Sequence, residues 1–111
     1  MDSALRALAD GTRRHILALI WHEERTASEI ASQFSITGPA ISQHLKVLLD
    51  SDLVLLRRAG TRRFYRVNQS AIASLRAELT AFWDGGLWRL KRAAEKKENR
   101  GRGGDEWNTG Y

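Results

Sequence analysis

The chain has 111 residues, of which 42% are hydrophobic and 28% charged, a composition typical of a folded domain. This length suffices for one domain with a hydrophobic core, but not for two independent ones. The sequence contains no cysteine, which excludes disulfide frameworks, cysteine-based zinc sites, iron–sulfur clusters and thiol catalysis.

Localisation signals are missing from the sequence as given. No apolar run approaches the roughly 18 residues that a membrane helix needs. Residues 1–4 lack the basic start and the apolar stretch of a signal peptide. We therefore expect a cytoplasmic protein with no membrane partner.

The net charge of +5 is concentrated in one segment. Between Thr37 and Val67 there are six basic and two acidic residues. Such a concentration of positive charge favours an anionic partner.

The first half of the chain predicts three helices. Leu5, Leu8 and Ala9 form a short apolar face, after which Asp10 or Thr12 can cap a second helix. Thr26-Ala27-Ser28-Glu29 has the form of a capping box and begins a third helix. The expected inward side chains of the second and third helices are Ile16, Leu17, Ile20, Ile30, Ala31 and Phe34.

A fourth helix and a hairpin follow. Thr37 can cap the helix, and Pro39 at its second position is tolerated only in the first turn. After Asp52 the apolar period changes to two, and Ala59-Gly60-Thr61 predicts the turn of a two-stranded hairpin. The predicted fold is therefore mainly α with a β-hairpin wing, a winged helix-turn-helix.

The helical period returns after Asn68. The Gly85-Gly86 pair interrupts it, but the apolar phase continues, so we predict one long helix with a weak point; the alternative is a break at Asp84. We assign residues 1–98 to one domain and residues 99–111 to a disordered tail. The apolar face of the last helix consists of Leu75, Leu79, Phe82, Trp83, Leu87, Leu90 and Ala94.

The fourth helix, residues 37–50, carries the pattern of a recognition helix. Its apolar residues point one way, and Gln43 points almost directly opposite. Gln can pair with the major-groove edge of adenine, and Ser, His and Lys can bond bases or phosphates. Pro39 and Lys46 lie beside Gln43, and Ala40, Ser42 and His44 lie on the flanks.

Five arginines lie between Arg57 and Arg66, on both sides of the predicted turn. Arginine fits phosphates and the narrow minor groove of DNA. The alternative is that they guard an edge strand against aggregation. Phe64 and Tyr65 lie on opposite faces of their strand, so at most one belongs to the core. The predicted DNA-binding residues are Thr37, Pro39, Ala40, Ser42, Gln43, His44, Lys46, Arg57, Arg58, Arg62 and Arg63.

Other roles for the histidines find little support. His44 can be a buried, hydrogen-bonded residue on the helix flank instead of a DNA contact. His15 and His22 share a helix face but lie about 10 Å apart, too far to share a metal ion without a further element. No catalytic motif or phosphate-binding loop is present, so we expect no enzyme, no metal site and no cofactor.

Three motifs resemble the ArsR/SmtB family of winged-helix transcriptional repressors. They are Leu8-Ala9-Asp10 with Thr12-Arg13, the stretch "ISQHLKVL" from Ile41, and the end of the wing, "YRVN" from Tyr65. The resemblance implies a homodimer that places two recognition helices in successive major grooves of a near-palindromic DNA operator. It also implies that Ser42, Gln43 and His44 face DNA. The dimer would form through the first and last helices, at Leu5, Leu8, Leu79, Phe82, Trp83 and Leu87.

The sequence also departs from the metal-sensing members of this family. Residues 26–30 lack a Cys-x-Cys pair, and no histidine lies between Asn68 and Glu98. The stretch "FWDGGLWRLKRAAE" from Phe82 resembles the non-metal branch, which is often autoregulatory. Two alternatives to a repressor remain: a winged-helix module that binds proteins, and a sensor with a ligand site between subunits.

Overall fold

The computed structural model describes residues 1–87 and residue 94. The chain divides into two compact units, Met1–Leu75 and Arg76–Tyr111. The element order confirms the predicted mainly α fold with a β wing. The elements are α1 (Asp2–Leu8), α2 (Gly11–Leu19), β1 (Arg25–Thr26), α3 (Ala27–Ala31), α4 (Gly38–Asp50), β2 (Val54–Ala59), β3 (Arg62–Val67), α5 (Gln69–Phe82) and a π-helical segment (Trp83–Leu87).

The predicted helix starts are confirmed. The Asp10 carboxylate accepts a hydrogen bond from the backbone N–H of Arg13 at 3.0 Å, so Asp10 and not Thr12 caps α2. Thr26 and Glu29 form the reciprocal capping box of α3. Thr37 caps α4, and Pro39 lies in the first turn of that helix. Each cap satisfies backbone N–H groups that have no partner inside the helix.

The sheet has three strands, which corrects the predicted two-stranded hairpin. The strand order is β1-β3-β2 with antiparallel pairing, and β1 pairs Arg25 with Tyr65 and Thr26 with Phe64. Two residues are too few to show a period of two, so the sequence pattern did not reveal β1. Because Thr26 also caps α3, this strand attaches the start of α3 to the wing.

The turn of the wing is one residue shorter than predicted. Ala59 pairs with Arg62, which leaves only Gly60 and Thr61 between the strands. Gly60 has φ 63°, and a glycine with positive φ at the first central position is typical of a tight two-residue hairpin turn.

The core lies between the helices and the base of the wing. From α1, Ala7 is buried in the core, and Ala4 and Leu8 pack against the core cluster. Leu5 and Ala9 are exposed. Of the predicted apolar face of α1, Leu8 packs against the core, and Ala9 follows the last residue of the helix as its C-cap. The buried residues of this core cluster are Ala7, Ile16, Leu17, Ile20, Ile30, Ile41, Leu45, Leu48, Leu53, Val54, Tyr65 and Val67.

The end of α4 sets the start of the wing. Asp52 has φ 63°, a left-handed conformation. Its backbone N–H donates to the Leu49 carbonyl at 3.0 Å, and that of Leu53 donates to the Leu48 carbonyl at 3.1 Å. This pair of bonds is the Schellman motif, in which glycine usually takes the left-handed position. The Asn68 side chain donates to the Asp52 carbonyl at 3.0 Å and so connects this corner to the end of the wing.

The last helix continues through the glycine pair. Asp84 lies within the π-helical segment Trp83–Leu87, so the alternative of a break at Asp84 is wrong. Ala94 is helical, whereas Leu90 and the predicted tail, residues 99–111, lie outside the described residues. The boundary at residue 98 stays a prediction. Within the described part of the chain, no helix is long and apolar enough to cross a membrane.

Candidate nucleic-acid interface

The outward face of α4 carries mostly polar or small side chains. Ile41, Leu45 and Leu48 hold the helix in the core, and each is at most 2% exposed. The opposite face carries only one cation, Lys46, whose Nζ lies 2.8 Å from the Asp50 carboxylate. Exposed ion pairs of this kind are weak, so Lys46 remains able to contact phosphate. The predicted residues Thr37, Pro39, Ser42, Gln43 and Lys46 are exposed, and Ala40 and His44 are half-buried.

The wing separates its arginines onto two faces. Arg58 and Arg63 are register partners on the face that also carries the core residues Tyr65 and Val67. Both side chains are exposed. Neither forms a hydrogen bond or an ion pair with any residue that the structure describes. The result is a concentrated positive charge near the wing tip without a neutralising partner.

On the other face of the wing, Arg57 and Arg62 contact the ring of Phe64. The Arg57 and Arg62 guanidinium groups lie 4.6 and 5.3 Å from the centre of the Phe64 ring. Arg57 also forms a two-bond ion pair with Glu24, in which Nε donates to Oε2 at 3.0 Å. This pair lowers the pKa of Glu24 and raises the pKa of Arg57. Phe64 is thus the outer aromatic residue of the strand and Tyr65 the core one, as the alternation predicted.

A concave surface joins the wing to the recognition helix. It encloses about 370 Å³ and combines hydroxyl groups with two guanidinium groups. Hydroxyl and guanidinium groups on one surface suit the sugar-phosphate backbone of a nucleic acid. The lining residues are Thr26, Ala27, Ser28, Ser42, Thr61, Arg62, Arg63 and Tyr65.

His44 has partners inside the protein. Its side chain is 22% exposed, and Nδ1 lies 3.4 Å from Arg13 Nη1 and 3.9 Å from Asp10 Oδ2. These contacts involve Nδ1 only, and Nε2 forms no hydrogen bond with any residue that the structure describes, so the DNA-contact prediction for His44 stays a prediction. Arg13 also donates to the Ala7 and Arg6 carbonyls at the end of α1, at 2.7 and 3.1 Å. Sequence reasoning did not identify Arg13 as part of the site, since it lies 31 residues from His44.

The other two histidines, His15 and His22, do not line the concave surface. His15 packs edge-on against Phe34, with ring centres 4.7 Å apart. His22 is exposed and lines an apolar groove of about 450 Å³ formed with Leu8, Arg14, Leu17, Ala18 and Trp21. Among the residues described, no group of three or more His, Cys, Asp or Glu side chains could hold a metal ion.

The residues predicted to form a dimer interface are largely exposed. Leu5 is 38% exposed, Leu79 39%, Phe82 54% and Trp83 47%. Leu8 is half-buried. The side chain of Leu87 lies outside the described part of the structure.

A helix-turn-helix with an exposed polar second helix and a basic wing defines a DNA-binding transcriptional regulator of the winged-helix class. The family model of a helix-turn-helix domain matches residues 8–57. The chain belongs to the ArsR/SmtB family of winged-helix transcriptional regulators, which confirms the resemblance found in the sequence.

Similar proteins include two bacterial regulators and a solved domain. The chain is 46% identical over 82 residues to the HTH-type transcriptional regulator Rv2034 of Mycobacterium tuberculosis, covering 74% of this chain and 77% of the relative. It is 35% identical over 72 residues to the transcriptional repressor SdpR of Bacillus subtilis, covering 65% and 80%. The homodimeric winged helix-turn-helix DNA-binding domain of a possible ArsR-family regulator from Mycobacterium bovis matches with a TM-score of 0.61 and 34% identity, covering 78% of this chain and 80% of that domain.

Proposed function

We propose that this regulator is a homodimeric repressor that reads a near-palindromic DNA operator. The observation that carries the proposal is the concave surface on which the polar face of α4 adjoins the wing with Arg63. An uncharged polar helix face suits base edges, and an unneutralised arginine pair suits phosphates or the minor groove.

The residues of the site have different roles in this proposal. Gln43 and Ser42 contact base edges in the major groove, because they lie on the exposed face of α4 and carry no charge. Lys46, Arg58 and Arg63 contact the phosphate backbone and provide affinity without sequence preference. The start of the helix, with Thr37, Pro39 and Ala40, approaches the backbone closely because its side chains are small. Arg62 lines the concave surface, whereas Arg57 acts mainly through its internal contacts.

The second subunit covers apolar surface. Leu79, Phe82 and Trp83 are large apolar side chains on or directly after α5, and each is more than a third exposed. Isolated exposed apolar residues are common, but a group of this size in one helical segment indicates an interaction surface. The solved domain from Mycobacterium bovis is described as homodimeric. A two-fold dimer would place its recognition helices about 34 Å apart, one turn of DNA.

The regulator fits the non-metal, autoregulatory branch of the family and acts in the cytoplasm without catalysing a reaction. The absence of cysteine from the sequence and the stretch from Phe82 support this assignment. Many relatives that sense metals use thiolate ligands, which this chain cannot supply.

The test compares binding of the purified full chain to the DNA upstream of its own gene with binding to a scrambled duplex of equal length. The comparison is made across a salt series. We expect a preference of about a thousandfold or more for the upstream DNA, with an affinity that falls steeply as salt rises. Equal, weak binding to both duplexes would contradict the proposal and favour a basic module that docks an acidic protein.

A further inference from the structure

The contacts of Arg13 bear on which ring nitrogen of His44, on the recognition helix α4, carries a proton. The Arg13 guanidinium is fixed by three contacts: the Ala7 and Arg6 carbonyls at the end of α1, at 2.7 and 3.1 Å, and His44 Nδ1 at 3.4 Å. A guanidinium group has only donors and stays protonated in proteins. The contact is therefore a hydrogen bond only if His44 Nδ1 accepts, since an N–H on that atom would face another N–H.

The acceptor role of Nδ1 determines the state of the other ring nitrogen, Nε2. A neutral imidazole carries one proton, so accepting at Nδ1 places that proton on Nε2. We infer that Arg13 is a positioning residue that selects the Nε2–H tautomer of His44, so that the recognition helix offers DNA an N–H donor. This inference rests on the proposed DNA-binding function of α4. The donor would serve a phosphate oxygen or the O6 or N7 acceptor of guanine.

One further charged group, a carboxylate, faces Nδ1. The Asp10 carboxylate lies 3.9 Å from Nδ1, too far for a hydrogen bond to the neutral ring. If the ring were charged, its Nδ1–H would face both the Asp10 carboxylate, which attracts it, and the Arg13 guanidinium, which repels it. Asp10 is already engaged, because it accepts the capping bond from the Arg13 backbone N–H at 3.0 Å. Arg13 therefore keeps Nδ1 in the acceptor role while its side chain is held by α1.

The chain offers a matched control for Arg13. Arg14 Nη1 donates to the Leu8 carbonyl at 2.8 Å, which is also at the end of α1, but Arg14 makes no described contact with His44. Arg13→Ala and Arg14→Ala therefore remove the same charge and hydrogen bonding to the end of α1, two bonds in the first case and one in the second. Only the first change removes the contact with the imidazole.

The first measurement is nitrogen NMR of His44 in the full chain without DNA at neutral pH. We expect the proton on Nε2 in the wild type and in Arg14→Ala, and a mixture of ring forms in Arg13→Ala. A proton on Nδ1 in the wild type, or a fully charged ring, would overturn the inference.

The second measurement is the affinity for the upstream DNA. We expect His44→Gln, whose amide N–H can replace Nε2–H, to stay near the wild type, and His44→Asn to lose about tenfold. Arg13→Ala should lose a similar factor, yet cost nothing further in a His44→Ala background. Equal losses in Gln and Asn variants would overturn the inference. If NMR gives the expected ring form but the wild type shows no DNA preference, the proposed function fails and the proton assignment stands.

Discussion

Arg58 and Arg63 lie directly opposite each other in the antiparallel register of the wing. Like charges in this arrangement destabilise a hairpin. The neighbouring pair in the register, Arg57 with Phe64, is instead stabilised by the ring contact and by Glu24. The wing therefore holds one arginine pair that costs stability and one arginine that contributes to it, so the proposed binding role and the structural role fall on different residues.

Neutralising the opposed pair should weaken DNA binding without weakening the fold. If Arg58 and Arg63 contact phosphates as proposed, Arg58→Gln and Arg63→Gln should each lower the affinity for operator and random DNA alike. Each should also reduce the slope of log affinity against log salt by about 1. Stability should stay constant or rise slightly because the repulsion is removed. Fluorescence anisotropy over a salt series and urea denaturation measure the two effects.

Arg57→Gln is the matched control, because it makes the same charge change in the same hairpin. It should leave the salt slope closer to the wild-type value and lower stability instead, since it removes the ion pair with Glu24 and the contact with Phe64. A loss of salt slope in Arg57→Gln equal to that in Arg58→Gln would contradict the division of roles.

Gln43→Ala should affect sequence preference rather than general affinity. A bidentate contact between a side chain and a base discriminates by about 1–3 kcal/mol, so the gap between operator and scrambled DNA should narrow by that amount. Lys46→Ala, on the same exposed face, should instead weaken binding to both duplexes equally. Competition binding with the two duplexes separates these outcomes, and equal losses on both DNAs in Gln43→Ala would refute base reading by Gln43.

Local patterns predicted the helices of this fold, whereas the partners of the charged residues depended on tertiary structure. The caps Thr26 and Thr37, and Asp10 as one of two candidates, could be read from the sequence because each acts on an N–H three residues away. The pairing of Arg57 with Glu24 spans 33 residues and has no periodic signal. For this reason the arginines of the wing looked equivalent in the sequence, although the fold divides them between two faces.

Asp52→Gly should stabilise the protein. Asp52 has φ 63°, and a left-handed conformation costs residues with a side chain roughly 1 kcal/mol relative to glycine. We expect Asp52→Gly to raise the free energy of unfolding by up to about 1 kcal/mol and Asp52→Ala to lower it, as measured by urea denaturation. Equal stability of the two variants would show that the Schellman corner is not strained.

Acid should destabilise the fold through three carboxylates. The N–H of Arg13 lowers the pKa of Asp10, the guanidinium of Arg57 lowers the pKa of Glu24, and the N–H of Thr26 lowers the pKa of Glu29. The folded state thus binds fewer protons than the unfolded state. This stabilisation is complete above the ordinary carboxyl pKa of about 4 and is lost as the pH falls through the lowered values. Urea denaturation from about pH 6 to pH 3 should show that the free energy of unfolding declines, and that it declines less steeply in Glu24→Gln. Parallel curves for the wild type and Glu24→Gln would show that Glu24 does not contribute to the acid sensitivity.

A charge on the exposed apolar face of α5 should separate the proposed dimer. Leu79 and Phe82 are 39% and 54% exposed in one chain, and burial of such a side chain contributes about 1.5–3 kcal/mol. Leu79→Glu with Phe82→Glu places four carboxylates in a two-fold interface, where their desolvation opposes association. We expect sedimentation velocity to show a dimer for the wild type and a monomer for this double variant at micromolar concentration.

Leu55→Glu provides the control for that experiment. Leu55 lies on the wing and is 42% exposed, so the same change is made on a comparable side chain outside the proposed interface. This variant should remain dimeric. The double variant should also lose operator affinity, because a single recognition helix contacts one half-site only. A wild type that sediments as a monomer, or a double variant that sediments as a dimer, would show that α5 does not form the interface.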